Sequence, residues 1–202
     1  MRGGCDDPQK ELETTDDETI EMAKVFLIRH VSPDWNHTGI PYDIPPGPPL
    51  SSKGKKEAEA LAEFLSSQGV VKLYYSPFER SATTAEIVST MNGIPCDMDE
   101  RLTEWREVDE RGEQVRERML SIFENVSKES IELGPIGLVS HGGPTTFLLQ
   151  GLGIEQEELA KFRKKFDTTN PLPPAGVWKA EQDENNKSWN LKLAFVPSVN
   201  QA

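Results

Sequence analysis

The sequence predicts a three-layer α/β/α sandwich: a mostly parallel central sheet with helices on both faces. Three observations predict it. Short apolar runs of strand length recur at 25–29, 70–75 and 136–139. Segments with helical apolar spacing alternate with them. Glycine and proline stand at the junctions, where chain direction must change.

The elements follow in order. Val25, Phe26, Leu27 and Ile28 form an unbroken apolar run, the pattern of a strand buried on both faces. Residues 37–50 hold five prolines and two glycines, an ordered loop without regular structure. Ser51 or Ser52 caps a helix whose Ala58, Leu61, Ala62 and Leu65 follow the i, i+3, i+4, i+7 rule, and Gly69 stops it. A second strand over 70–75 leads to a helix from 79 to about 91, with Ala82, Ala85, Ile87 and Val88 inward. Residues 94–98 read as a short strand. Residues 113–126 read as a charged helix with Val115, Met119, Ile122 and Phe123 inward. A buried strand over 136–139, a helix over 144–150, a short helix over 155–165 and a hairpin of 177–181 with 189–195 complete the pattern.

Two hundred and two residues suit one domain with a tail, here an acidic, flexible segment 1–23 and a single domain over 24–202. The net charge is −12, and residues 1–23 carry half of it. Such a surface repels phosphate backbones, so neither nucleic acid nor an anionic membrane is an expected partner. No apolar stretch approaches the roughly 18–20 residues that span a bilayer. The N-terminus lacks the apolar core of a secretory signal, and two cysteines make no disulfide framework, so a cytoplasmic setting is expected.

In an open α/β sheet, ligands collect beyond the carboxyl ends of the strands. The first strand ends in Arg29 and His30, the second runs into Ser76 to Arg80, and the fourth ends in Ser140, His141, Gly142 and Gly143. Two arginines and two of the three histidines therefore share one edge. Guanidinium forks match phosphate oxygens, and a glycine pair opening a helix exposes backbone N–H groups. An imidazole there could take a phosphoryl group on nitrogen, and the leaving oxygen would need a proton from an acid such as Glu104.

These residues fall in ordered blocks: L-I-R-H-V-S-P-D-W-N (27–36), S-P-F-E-R-S-A-T-T-A (76–85), L-T-E (102–104) and V-S-H-G-G (139–143). Together they resemble the histidine phosphatase superfamily, also called the phosphoglycerate mutase-like family, over roughly 25–150. The resemblance implies a catalytic domain in which His30 is the phosphorylated nucleophile. Arg29, Arg80 and His141 would bind the phosphate with Asn36, and Glu104 would be the proton donor. It implies no metal and no organic cofactor. The expected function is metal-independent hydrolysis of a small phosphomonoester, with phosphoproteins presenting the same phosphoryl head, in a monomer or dimer.

Val31 stands where that family has glycine or alanine, and is expected to narrow the pocket. Only 36 residues separate Glu104 from His141. The mutases carry a longer insertion there, which favours a phosphatase over a mutase-type transferase. A phosphate-binding scaffold with weak catalysis is the remaining alternative. No H-E-x-x-H, C-x-x-C, G-x-S-x-G or phosphate-loop motif is present, so zinc, serine-hydrolase and nucleotide-driven chemistry are not indicated. His37 and Tyr42 lie in the loop expected to border the pocket, and Trp105, Trp178 and Trp189 read as packing residues.

Overall fold

The computed structural model of the chain describes residues 22–36, 39–166, 170–183 and 188–197. His37 and residues 1–21 of the acidic segment lie outside the described residues. In chain order the elements are β1 (Lys24–Arg29), α1 (Ser52–Ser67), β2 (Lys72–Tyr75), α2 (Glu79–Asn92), β3 (Cys96–Met98) and a 3₁₀ turn (Glu100–Leu102). Then come α3 (Gly112–Leu133), β4 (Ile136–Ser140), α4 (Gly142–Gly151), α5 (Gln156–Phe166), β5 (Val177–Gln182) and β6 (Trp189–Phe195).

The six strands run β3-β2-β4-β1-β5-β6. The pairs β2/β3, β2/β4 and β1/β4 are parallel, whereas β5 pairs antiparallel with both β1 and β6. Side chains alternate across the sheet. Val25 and Leu27 of β1, with Ile136 and Leu138 of β4, pack under α3 and α4 on one face. Phe26 and Ile28, with Leu73 and Val139, pack under α1 and α2 on the other. Each fully buried leucine, isoleucine or phenylalanine contributes about 1.5–3 kcal/mol, so the two clusters hold the helices to the sheet from both sides. The expected three-layer architecture is therefore present.

This layering creates the site. β1 and β4 are parallel neighbours, but the chain leaves β1 for α1 on one face and leaves β4 for α4 on the other. Their carboxyl ends diverge and open a crevice, the topological switch point where such sheets bind ligands.

The helix α3 runs on to Leu133, beyond the expected end near 126. The apolar period stops there because the next inward positions are serines. Ser127 and Ser130 are buried and donate back to the carbonyls of Phe123 and Ser127. Ser130 Oγ also accepts the N–H of Lys24 at 3.1 Å. Satisfied hydroxyls replace hydrophobes on that turn, so a reading by apolar spacing loses it.

Candidate active site

His30 follows β1 directly and is fully buried. Its Nδ1 lies 2.8 Å from the carbonyl oxygen of Val31. A carbonyl only accepts, so Nδ1 carries the proton and Nε2 keeps its lone pair. Arg80 donates from Nε to that Nε2 at 3.1 Å, and the Tyr42 hydroxyl stands 3.2 Å from the same atom. Burial, then the charges of Arg80 and Arg29, hold the His30 pKa well below its ordinary value. The ring is thus neutral, with the lone pair of Nε2 facing a cationic group.

Arg80, in the first turn of α2, is wholly buried. Its guanidinium lies 4.0 Å from the Tyr42 ring centre and 4.5 Å from that of Phe78. It donates from Nη1 to the Tyr42 carbonyl at 2.9 Å and from Nη2 to Glu104 Oε2 at 3.1 Å. Arg29 donates from Nη1 to the Leu172 carbonyl at 2.7 Å, while its buried Nε has no partner.

His141 follows β4 directly and stands at the N-terminal cap position of α4. The Ser76 hydroxyl lies 2.7 Å from its Nε2, with Ser81 Oγ at 3.5 Å. This satisfies Nε2 and leaves Nδ1 aimed at the cluster, 3.3 Å from Glu104 Oε2. The His30 and His141 ring centres are 5.2 Å apart. Burial and the charge of Arg80 hold His141 well below its ordinary pKa as well.

Glu104 enters on the segment after the 3₁₀ turn. Ser140 Oγ ties that segment to the end of β4 by donating to the Leu102 carbonyl at 2.7 Å. Glu104 Oε1 accepts the Trp105 N–H at 3.0 Å. Burial pushes the Glu104 pKa up, against the opposing pull of Arg80 and the Trp105 N–H. A carboxyl so placed is able to hold and to release a proton.

Asn36 is not among the residues that the described contacts bring together. It sits exposed, and its backbone and side-chain N–H groups both donate to Asp34 Oδ1, at 3.0 and 2.9 Å. No described contact brings it to the cluster, where Tyr42 enters instead. Val31 is placed otherwise than expected. Its side chain is buried against the α1 and α2 core, so it does not narrow the pocket. Ser76 and Ser81 were not singled out by sequence reasoning; the polar positions flanking Arg80 in the second block were the available signal.

His30, Glu104 and His141 bring metal-ligand-type atoms within 4.8 Å of one another. Arg80 contacts both His30 and Glu104, so the space is cationic and better suited to an anion than to a metal ion.

A sequence model described as the histidine phosphatase superfamily (branch 1) matches residues 25–109. Phosphoserine phosphatase 1 of Hydrogenobacter thermophilus is 34% identical over 83 residues, 41% of this chain and 39% of that protein. The "Probable phosphoglycerate mutase GpmB" of Yersinia enterocolitica is 31% identical over 83 residues, 41% of this chain and 38% of that protein. The matched stretch thus spans about two-fifths of these curated relatives. A mycobacterial glucosyl-3-phosphoglycerate phosphatase superposes with a TM-score of 0.63 at 19% identity, covering 86% of this chain and 98% of that one. Phosphoglycerate mutase from Bacillus anthracis superposes with a TM-score of 0.65 at 15% identity, covering 86% of this chain and 93% of that one. Those two likenesses carry the fold. The family match runs through His30, Arg80 and Glu104, so residues 25–109 of this chain are similar to the histidine phosphatase superfamily.

Proposed function

We propose that the protein hydrolyses phosphomonoesters through a phosphohistidine on His30. The observation that carries this reading is the unprotonated Nε2 of His30, surrounded by Arg80, Arg29, His141 and a carboxyl of raised pKa. The phosphoryl group docks among Arg29, Arg80 and His141 Nδ1. Nε2 attacks phosphorus, the P–O bond to the alcohol breaks, and Glu104 gives its proton to the leaving oxygen. A water then attacks the phosphohistidine and returns its proton to Glu104, and the P–N bond breaks with its electron pair returning to Nε2. Orthophosphate leaves. The arginines neutralise charge on the equatorial oxygens throughout.

Hydrolysis is favoured over transfer to a second alcohol because a short loop and the single helix α3 fill the chain between Glu104 and β4. The substrate is a small phosphomonoester, the catalytic unit is one domain, and a reducing cytoplasmic setting accords with the free Cys96. Among the described residues no helix is long and apolar enough to cross a membrane.

The test is hydrolysis of an aryl phosphate with a chelator present, for wild type and His30→Ala. The variant should lose at least about 10³-fold in kcat. Rapid acid-free quenching of the wild type with labelled substrate should trap an acid-labile phosphoenzyme. Turnover that survives His30→Ala would sink the mechanism.

A further inference from the structure

We propose that a cavity behind Glu104 receives the body of the leaving alcohol, and that Arg163 binds a carboxylate carried on it. The inference rests on the phosphomonoesterase reading above and names the substrate class: phosphate esters of an alcohol with a planar or apolar body ending in a carboxylate.

The alcohol oxygen must lie against the Glu104 carboxyl to take its proton, so the rest of the leaving group extends past Glu104. Gly143 backs that carboxyl. A methyl group at this glycine would stand 3.6 Å from Glu104 Oε1 and 3.6 Å from Trp105 Cε3. Trp105 and Gly143 also line a cavity of about 340 Å³, bounded by Phe147 of α4 and by Gln156 and Arg163 of α5. The site of proton donation and the cavity thus share two walls.

One wall is a fixed aromatic surface. Trp105 and Phe147 meet edge to face, 5.0 Å between ring centres at 87°, and Trp105 Nε1 is anchored to the Glu110 carbonyl at 2.8 Å. Such rings offer contact area at low conformational cost. Arg163 also lines the cavity. Arg163 Nε is closed off from solvent and makes no hydrogen bond, and no carboxylate among the described residues pairs with Arg163. An enclosed N–H left without an acceptor is costly, and a guanidinium fork fits a carboxylate in two-point fashion.

The test compares 4-carboxyphenyl phosphate with phenyl phosphate for the wild type, Arg163→Gln and Arg163→Lys. The readout is the ratio of the two kcat/KM values within each protein, which cancels a general loss of fold or activity. The ratio should fall about tenfold in Arg163→Gln, chiefly through KM, and recover in part in Arg163→Lys. An unchanged ratio in Arg163→Gln would overturn the proposal. If the wild type hydrolyses neither ester, the hydrolase reading fails, and calorimetric binding of the same two esters decides this one. A preference for the carboxylate that Arg163→Gln abolishes supports it, and absence of such a preference refutes it.

Discussion

Arg80 donates from Nε to Nε2 of His30 at 3.1 Å, so the cation that would hold the phosphate also orients the nitrogen that would attack it. The guanidinium fits because Gly47 lies beside it. Gly47 has φ +73, and a methyl group there would stand 2.6 Å from Arg80 Nη1 and 3.0 Å from the Phe78 ring.

Gly47→Ala should therefore disturb Arg80 without touching a reacting group. The left-handed backbone alone costs about 1–2 kcal/mol for a residue with a side chain. A displacement of about 1 Å at a positioning group costs on the order of 10²-fold in rate. Urea unfolding and aryl phosphate kinetics check both effects. Unchanged kcat/KM would mean that Arg80 tolerates a shifted position.

Glu104→Gln should separate leaving groups. The lost proton donor lowers turnover of alkyl phosphates by about 10²–10⁴-fold, whereas aryl phosphates, which leave without help, form phosphoenzyme readily and then stall. The pH profile gives the second readout. His30 must be neutral, and its pKa lies well below 6.5. Glu104 must be protonated, and burial raises its pKa above 4.5. Activity therefore falls on the acid side as His30 gains a proton and on the alkaline side as Glu104 loses one. In Glu104→Gln the alkaline limb should disappear. An unaltered limb would assign it to another group.

The crevice was legible in the sequence because its polar residues sit at strand ends, and strand order brings those ends together. Arg29, His30, Arg80, Glu104 and His141 converge as their blocks require. The placements that sequence does not convey have a common cause. Val31 and Asn36 lie in a segment without periodicity, where side-chain direction is set by tertiary contacts. Val31 turns into the core because its N–H is held by Thr84 Oγ1 at 3.3 Å, and Asn36 turns onto Asp34. Tyr42 enters from the proline-rich loop, whose path depends on contacts such as Glu79 N–H to the Pro46 carbonyl at 2.8 Å. No local pattern encodes them.

Stability should fall in mild acid. His30 and His141 both have folded pKa values below 6.5, chiefly from burial. As pH drops below about 6.5 the unfolded chain binds protons that the folded one excludes, and each group then removes about 1.4 kcal/mol per pH unit. Glu104 acts in the opposite sense. Its raised pKa penalises the folded state at neutral pH, and that penalty fades as pH falls toward 4.5. Two histidines against one carboxyl leave net destabilisation across the window just below 6.5. Urea unfolding of wild type and His141→Gln at pH 7.5, 6.5 and 5.5 checks this. The variant should show a shallower loss, and an equal slope would exclude His141 as a contributor.

The last prediction concerns Glu57, a fully buried carboxylate on α1. Its Oε2 accepts the Ser32 N–H at 2.7 Å, its Oε1 accepts the Ser32 hydroxyl at 3.0 Å, and Lys53 Nζ lies 3.7 Å away. The Ser32 carbonyl in turn accepts from Ser51 N and Oγ. The backbone two residues past His30 is therefore clamped to the start of α1. The helix can come this close because position 54 is glycine: a methyl group there would run into the Ser32 carbonyl. Glu57→Ala removes both acceptors and leaves a buried N–H unsatisfied, a loss of about 2–3 kcal/mol. Glu57→Gln keeps one carbonyl oxygen for the Ser32 N–H and should lose less. Because Val31 O fixes the His30 tautomer, loosening this segment should also lower kcat in Glu57→Ala and spare it in Glu57→Gln. Equal stability and equal kcat in the two variants would show that the charge of Glu57, rather than its acceptor geometry, holds the segment.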